Sequence, residues 1–132
     1  MRRHLPKIRL ALFLLAALAI LWLSLDPRPY LPKNGPLSWD KAQHALAYAF
    51  LTLVGGWALQ PLMDNAIRAF RWAAGIAIIY GVLLEFAQML LTRNRSAQLA
   101  DAIADALGAV AVYLLVWLLV SLRATRNQPE RY

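Results

Sequence analysis

The chain contains four apolar stretches, each long enough to cross a lipid bilayer as an α-helix. They run over residues 8–25, 42–59, 72–91 and 102–122. A helix needs about 20 mostly apolar residues to cross a hydrocarbon core that is about 30 Å thick. None of the stretches shows the alternating pattern of a transmembrane β-strand. The sequence therefore predicts an all-α, integral membrane four-helix bundle, which forms one domain over residues 1–132.

The composition agrees with lipid as the solvent. Of the 132 residues, 61% are hydrophobic and 16% are charged, whereas soluble domains average about 45–50% apolar and about 25% charged residues. The formal net charge is +7, but the basic residues lie mostly between the apolar stretches, where anionic lipid headgroups are the expected partner. A nucleic-acid partner is therefore not expected. Because the chain has no cysteine, disulfides, thiolate metal sites and cysteine nucleophiles are excluded.

The first apolar stretch has a second interpretation as a secretory signal. Arg2, Arg3, Lys7 and Arg9 precede its apolar core, which is the general layout of a signal peptide. No small-residue cleavage motif follows Trp22. The stretch is therefore interpreted as a retained span, and the chain as a multi-pass membrane protein.

The basic residues also predict the orientation, because an excess of Lys and Arg marks the cytoplasmic side of a membrane. With four spans, nine of the fourteen fall on the side of the two termini: Arg2, Arg3, Lys7, Arg9, Arg68, Arg71, Arg123, Arg126 and Arg131. The other five fall on the opposite side: Arg28, Lys33, Lys41, Arg93 and Arg95. Both termini are therefore expected in the cytoplasm.

With this orientation, most acidic residues lie toward the outer face. Asp64 and Glu130 fall on the cytoplasmic side, and the other five acids fall outside or in the outer half of a span: Asp26, Asp40, Glu85, Asp101 and Asp105. An ionisable group within a span is unfavourable unless it is paired or hydrated. Ionisable residues within a span are therefore candidate functional residues.

Three of the predicted helices bring polar groups to similar depths at this outer end. A rise of about 1.5 Å per residue places three residues about one turn below the outer boundary, His44, Gln88 and Asp105, and two about two turns below it, Tyr48 and Glu85. Arg93 and Arg95 fall between the third and fourth spans, where they can hold a phosphate or carboxylate. The predicted ligand-binding set is Asp40, Lys41, His44, Tyr48, Glu85, Gln88, Arg93, Arg95, Asp101 and Asp105.

These residues resemble the pattern of the VanZ-like family of bacterial membrane proteins. The resemblance is carried by Asp40-Lys41-x-x-His44-x-x-x-Tyr48, Glu85-x-x-Gln88, Arg95, and Asp101 with Gly108, which permits close helix approach. It covers three of the four helices. Asp105 departs from the pattern, since the family usually has Asn there. The resemblance implies a role in the bacterial cell envelope, a location in the cytoplasmic membrane, and a link to resistance against the glycopeptide teicoplanin.

Three functions remain open for the set. The first is recognition of a lipid-linked anionic headgroup, such as a polyprenyl phosphate or a cell-wall precursor, with Lys41, Arg93 and Arg95 holding phosphate. The second is an enzyme acting on such lipids, in which the catalytic residues are His44, Glu85 and Asp105. They would act as acid, base or ligands of a divalent metal. No H-E-x-x-H or G-x-S-x-G motif accompanies them.

The third function is a purely structural network, since polar side chains in small bundles also hydrogen-bond across helices. Transport is disfavoured because polar residues are few in the cytoplasmic halves of the spans. The sequence leaves the cofactor, the metal and the oligomeric state open.

Overall fold

The computed structural model describes residues 5–26, 40–92 and 98–126. Its helices are α1 (Leu5–Leu25), α2 (Asp40–Leu59), α3 (Ala66–Leu91) and α4 (Leu99–Arg126), and a short 3-10 helix, Gln60–Leu62, follows α2. Each of the four α-helices is long and apolar enough to cross a membrane. The predicted all-α fold with four candidate spans is therefore confirmed.

The helices extend beyond the predicted spans, most clearly at the start of α3. This helix begins at Ala66, six residues before the predicted span at 72. Asn65 caps it, because its side-chain oxygen accepts a hydrogen bond from the Arg68 N–H at 2.8 Å, which satisfies one of the free donors of the first turn. The apolar stretch marks only the part suited to lipid, whereas the cap marks where helical hydrogen bonding begins.

Side-chain contacts establish the directions of the helices. Lys41 near the start of α2 pairs with Asp101 near the start of α4, so these two helices begin at the same end of the bundle. Gln88 near the end of α3 donates a hydrogen bond to the carbonyl oxygen of Ser24, near the end of α1, at 2.9 Å. Glu85 of α3 accepts a hydrogen bond from the Gln98 N–H just before α4. The helices therefore alternate in direction along the chain.

The core lies among α2, α3 and α4, which all pack against one another. α1 packs mainly on α2 and, to a smaller extent, on α3, and Ile20 is its one buried residue in the described range. The buried face of α3 carries Ala69, Ala73 and Ala77 at successive turns. Small residues in this spacing allow helices to approach closely.

α2 and α4 approach most closely at Gly108. A Cβ atom at this position would lie 1.9 Å from the carbonyl oxygen of Ala45, so the backbones of the two helices are in direct contact there. The prediction that Gly108 permits close helix approach is confirmed. Since Ala45 follows His44 in sequence, the contact also fixes the height of His44 relative to Asp105.

The outer surface of the bundle is apolar. Large side chains with more than half of their surface exposed occur on all four helices, including Leu14, Phe50, Leu83 and Leu115. Such a surface is unusual for a soluble monomer and suits contact with lipid chains.

Candidate functional site

The acidic side chains of α2, α3 and α4 lie together with Lys41 and His44 at the end of the bundle where α2 and α4 begin. We call this group the polar cluster and define it as Asp40, Lys41, His44, Glu85, Gln98, Asp101 and Asp105. Six of these seven residues belong to the predicted set. The helix directions bring them together, since each lies within two turns of its helix end at the same side of the bundle.

Lys41 contacts two aspartates, Asp40 and Asp101, at the starts of α2 and α4. We call this end of the cluster the mouth. Its Nζ forms an ion pair with Oδ1 of Asp101 and lies 3.5 Å from Oδ2 of Asp40. It also donates a hydrogen bond to Oε1 of Gln98 at 3.1 Å. The ammonium group therefore contacts three side chains of the cluster.

His44 lies between three carboxylates. Its Nδ1 is 2.9 Å from Oδ1 of Asp105, and its Nε2 is 3.8 Å from Oδ2 of Asp101 and 4.0 Å from Oδ1 of Asp40. With Asp105 ionised, Nδ1–H donates to that carboxylate, and the imidazole is held in one orientation. Its Nε2 consequently faces the two mouth aspartates.

Gln98 joins the cluster to α3. Its backbone N–H donates to Oε2 of Glu85 at 2.9 Å, and its carbonyl oxygen accepts the N–H groups of Asp101 and Ala102 at the start of α4. Sequence reasoning did not select Gln98. No residue-type signal marks it, because glutamine is not a preferred N-cap residue and its contact with Glu85 is made by its backbone N–H.

Two predicted residues make contacts away from the mouth. The Gln88 side-chain amide donates a hydrogen bond to the Ser24 carbonyl oxygen of α1. Tyr48 is buried, and its ring centroid lies 6.5 Å from that of Tyr80. A Cβ atom on Gly81 would lie 2.8 Å from Oδ2 of Asp105 and 3.0 Å from the Tyr48 ring. Tyr48 therefore lies beneath Asp105, whereas Gln88 attaches α3 to α1.

The predicted residues Arg93 and Arg95 lie outside the described residues. In sequence they follow Thr92, which ends α3, and precede Gln98.

The cluster combines deep burial with an excess of acidic groups. Asp105, Asp101 and Glu85 are only 2%, 6% and 6% exposed, whereas the Asp40 side chain is 61% exposed. Among the described residues of the cluster, Lys41 is the one permanent cation beside four carboxylates. Buried carboxylates require a compensating partner, a proton or a cation.

The donor set can perform two kinds of chemistry. The hydrogen-bonded pair of Asp105 and His44 can orient an imidazole for proton transfer. Two overlapping trios, Asp40 with His44 and Asp101, and His44 with Glu85 and Asp105, each have ligand atoms within 4.8 Å of one another. Imidazole nitrogen and carboxylate oxygen are ligands that divalent metal ions accept.

Comparison with known proteins gave no match to a family model, a curated protein or a solved structure. The class of the protein therefore follows from the fold itself: a helical bundle with four candidate membrane spans and a polar cluster at one end.

Proposed function

We propose that the chain is a VanZ-like, multi-pass protein of the bacterial cytoplasmic membrane that recognises a lipid-linked anionic headgroup. Both termini lie in the cytoplasm, and the polar cluster faces the outer surface. The ligand is a polyprenyl phosphate or a related cell-wall precursor. The observation that carries the proposal is the concentration of buried ionisable side chains at one end of a bundle whose outer surface is apolar.

Position in the membrane favours a lipid as the ligand. The cluster residues of α2 and α4 lie within the first two turns of candidate spans, which is the depth at which headgroups meet the hydrocarbon core. The exposed apolar side chains beside them can contact acyl or polyprenyl chains. A lipid can therefore place its headgroup at the cluster while its chain stays in the bilayer.

Charge favours the arginines as the groups that hold the phosphate. Lys41 is already paired with Asp101 and Gln98, and the described cluster has more carboxylates than cations. Arg93 and Arg95 are the additional basic residues that the sequence supplies between α3 and α4. Arginine binds phosphate through two parallel hydrogen bonds. The VanZ-like assignment and a link to teicoplanin resistance rest on the sequence resemblance.

The proposal predicts that Arg95→Glu abolishes lipid retention. The purified chain, reconstituted in nanodiscs doped with a polyprenyl phosphate, is expected to enrich that lipid over phosphatidylcholine, as measured by mass spectrometry. Reversing the charge at Arg95 removes a phosphate ligand and adds a repulsive carboxylate. Arg71→Glu is the matched control, because Arg71 is an exposed arginine of α3 toward the opposite end. Equal retention by the two variants would contradict the proposal.

A second candidate function is catalysis on the same class of lipid. The hydrogen bond between His44 Nδ1 and Asp105 Oδ1 at 2.9 Å favours it, because a carboxylate that fixes an imidazole is a common acid–base pair. His44 would transfer a proton, and Glu85 or Asp105 would activate water. If the unaltered chain converts an added polyprenyl-linked precursor and Glu85→Gln accumulates it, the chain is an enzyme. If both only retain the lipid, it is a binding protein.

A further inference from the structure

The two mouth aspartates divide their oxygens between Lys41 and His44. Lys41 Nζ contacts Oδ1 of Asp101 and Oδ2 of Asp40. The other oxygen of each carboxylate, Oδ2 of Asp101 and Oδ1 of Asp40, faces Nε2 of His44. One oxygen of each mouth aspartate therefore lies near Nε2 of His44, and the three residues offer ligand atoms within 4.8 Å of one another.

We propose that Asp40, His44 and Asp101 bind a divalent transition-metal ion of the Mn²⁺ or Zn²⁺ type. The proposal rests on the proposed function and deepens it, because the ion adds a further positive charge to which the phosphate of the lipid headgroup binds. The mouth trio is defined as these three residues.

The distances fit an ion after a small closure. Ligand atoms about 2.1 Å from a tetrahedral ion lie about 3.4 Å apart. Nε2 of His44 is 3.8 Å from its Asp101 oxygen and 4.0 Å from its Asp40 oxygen. A movement of well under 1 Å by each group brings these two distances to the value that such an ion requires. Asp40 can make the larger movement, since its side chain is largely exposed at the first residue of α2.

Asp105 gives the imidazole the form that a metal requires. A histidine that binds a metal through one ring nitrogen ordinarily donates its other N–H to a carboxylate or carbonyl. The Asp105 carboxylate is in position to accept from Nδ1–H, which leaves the lone pair on Nε2 directed at the mouth. Asp105 is 2% exposed, so it orients His44 from below and does not reach the ligand.

Access distinguishes the mouth trio from the deeper trio of His44, Glu85 and Asp105. In the deeper trio the carboxylates are buried, and they already accept hydrogen bonds from His44 and from Gln98. The mouth trio contains the exposed Asp40, so water or a phosphate oxygen can complete the coordination. An ion with open positions is the form that binds and polarises a phosphate.

An ion in the mouth trio also offsets the excess of negative charge at the site. Four carboxylates face one lysine among the described cluster residues, and this balance repels a phosphate. A divalent cation together with Lys41 outweighs the two mouth aspartates by one positive charge, so the mouth can attract a phosphate. The alternative is a protonated His44 that serves as the cation, in which case the cluster is an ion-pair network without metal.

The test measures Mn²⁺ binding by the full chain in detergent, after metal has been removed with EDTA. Binding is detected as a decrease in the electron paramagnetic resonance signal of free Mn²⁺. One ion per chain is expected. Asp40→Asn should weaken binding at least tenfold, and because Asp40 is exposed, this variant tests the site without depending on the core. Asp105→Asn should weaken it by about 10- to 100-fold, through the orientation of His44. Asp64→Asn, at the other end, should bind like the unaltered chain.

Binding by Asp40→Asn equal to that of Asp64→Asn, or no binding by the unaltered chain, overturns the metal site. Lipid retention with and without EDTA separates the two proposals. Retention that survives EDTA supports the proposed function and contradicts the role of the ion. Stoichiometric Mn²⁺ binding without any lipid enrichment supports the metal site and contradicts the proposed function.

Discussion

Lys41 is the residue on which the arrangement of the cluster depends. It lies one turn before His44 on α2, and it holds Asp101 of α4 through an ion pair. Asp101 is almost fully buried, so its charge would be strongly unfavourable without that partner. Lys41 therefore both neutralises Asp101 and fixes which carboxylate oxygens face His44.

Lys41→Met is expected to destabilise the fold. The substitution keeps an unbranched apolar side chain but removes the ammonium group. It leaves the buried Asp101 carboxylate without its cation, at a cost of about 3–5 kcal/mol in the free energy of unfolding. The measurement is unfolding in detergent, followed by circular dichroism. The double variant Lys41→Met with Asp101→Asn should recover part of the loss, because no uncompensated charge remains. If the stability losses of the two single variants add up to the loss of the double variant, the two side chains do not interact.

At the residue scale, spacing predicted the cluster better than it predicted individual partners. Asp40, Lys41 and His44 share one face of a helix because residues three and four apart lie on the same side, and this holds in the structure. The partner of Gln88 was not predictable, because the Ser24 carbonyl oxygen belongs to the backbone of a fourth helix. Gln98 was missed for a related reason, since its main contact with Glu85 is made by its backbone N–H.

At the element scale, the contact between α2 and α4 determines the geometry of the site. The contact has no space for a side chain at Gly108, where a Cβ atom would meet the Ala45 backbone. His44 and Asp105 lie on the two helices close to this point. A change in the separation of α2 and α4 would therefore move the imidazole away from its carboxylate.

Gly108→Ala is expected to weaken both the fold and the site. Backbone atoms cannot move aside as a flexible side chain can, so the added methyl group must separate α2 from α4, at a cost of at least about 1–3 kcal/mol. The readouts are unfolding in detergent and Mn²⁺ binding. Gly75→Ala is the matched control, because a Cβ atom at Gly75 meets nothing within 4 Å. Equal stability of the two variants would contradict the close contact.

The helix bounds show that a hydropathy pattern predicts the location of a helix better than its ends. The apolar stretches located all four helices, because a helix that faces lipid must be apolar across the thickness of the hydrocarbon core. Their ends were less accurate, since α4 continues to Arg126, beyond the predicted limit at 122. Polar residues can extend a helix past the hydrocarbon core, and hydropathy does not record that extension.

At the scale of the whole molecule, the sequence indicates the number of spans but not how they pack. The arrangement places α2, α3 and α4 in mutual contact and α1 on one side. That choice depends on small residues distributed along three helices, such as Ala58 of α2, Ala73 of α3 and Ala109 of α4. Their combined effect on packing has no short sequence signature.

The orientation of the whole molecule is a testable prediction. The Lys and Arg distribution predicts that both termini lie in the cytoplasm, which would put the polar cluster at the outer surface. Alkaline phosphatase fused to the C-terminus should be inactive in a bacterial host, and a green fluorescent protein fused there should fluoresce. A phosphatase fused after Thr92, where α3 ends, should be active. The reverse pattern would place the cluster on the cytoplasmic side and contradict a ligand at the outer surface.

The pairing of α2 with α4 has a consequence for biosynthesis. Asp105 lies 61 residues after His44 in the chain, so the ribosome has made α2 and α3 before it reaches the residues that complete the cluster. Until α4 is inserted, Lys41 and His44 have Asp40 of their own helix as a partner but lack Asp101 and Asp105. A chain that stops before α4 is therefore expected to be less stable than the whole bundle, because most ion pairs of the cluster cannot form.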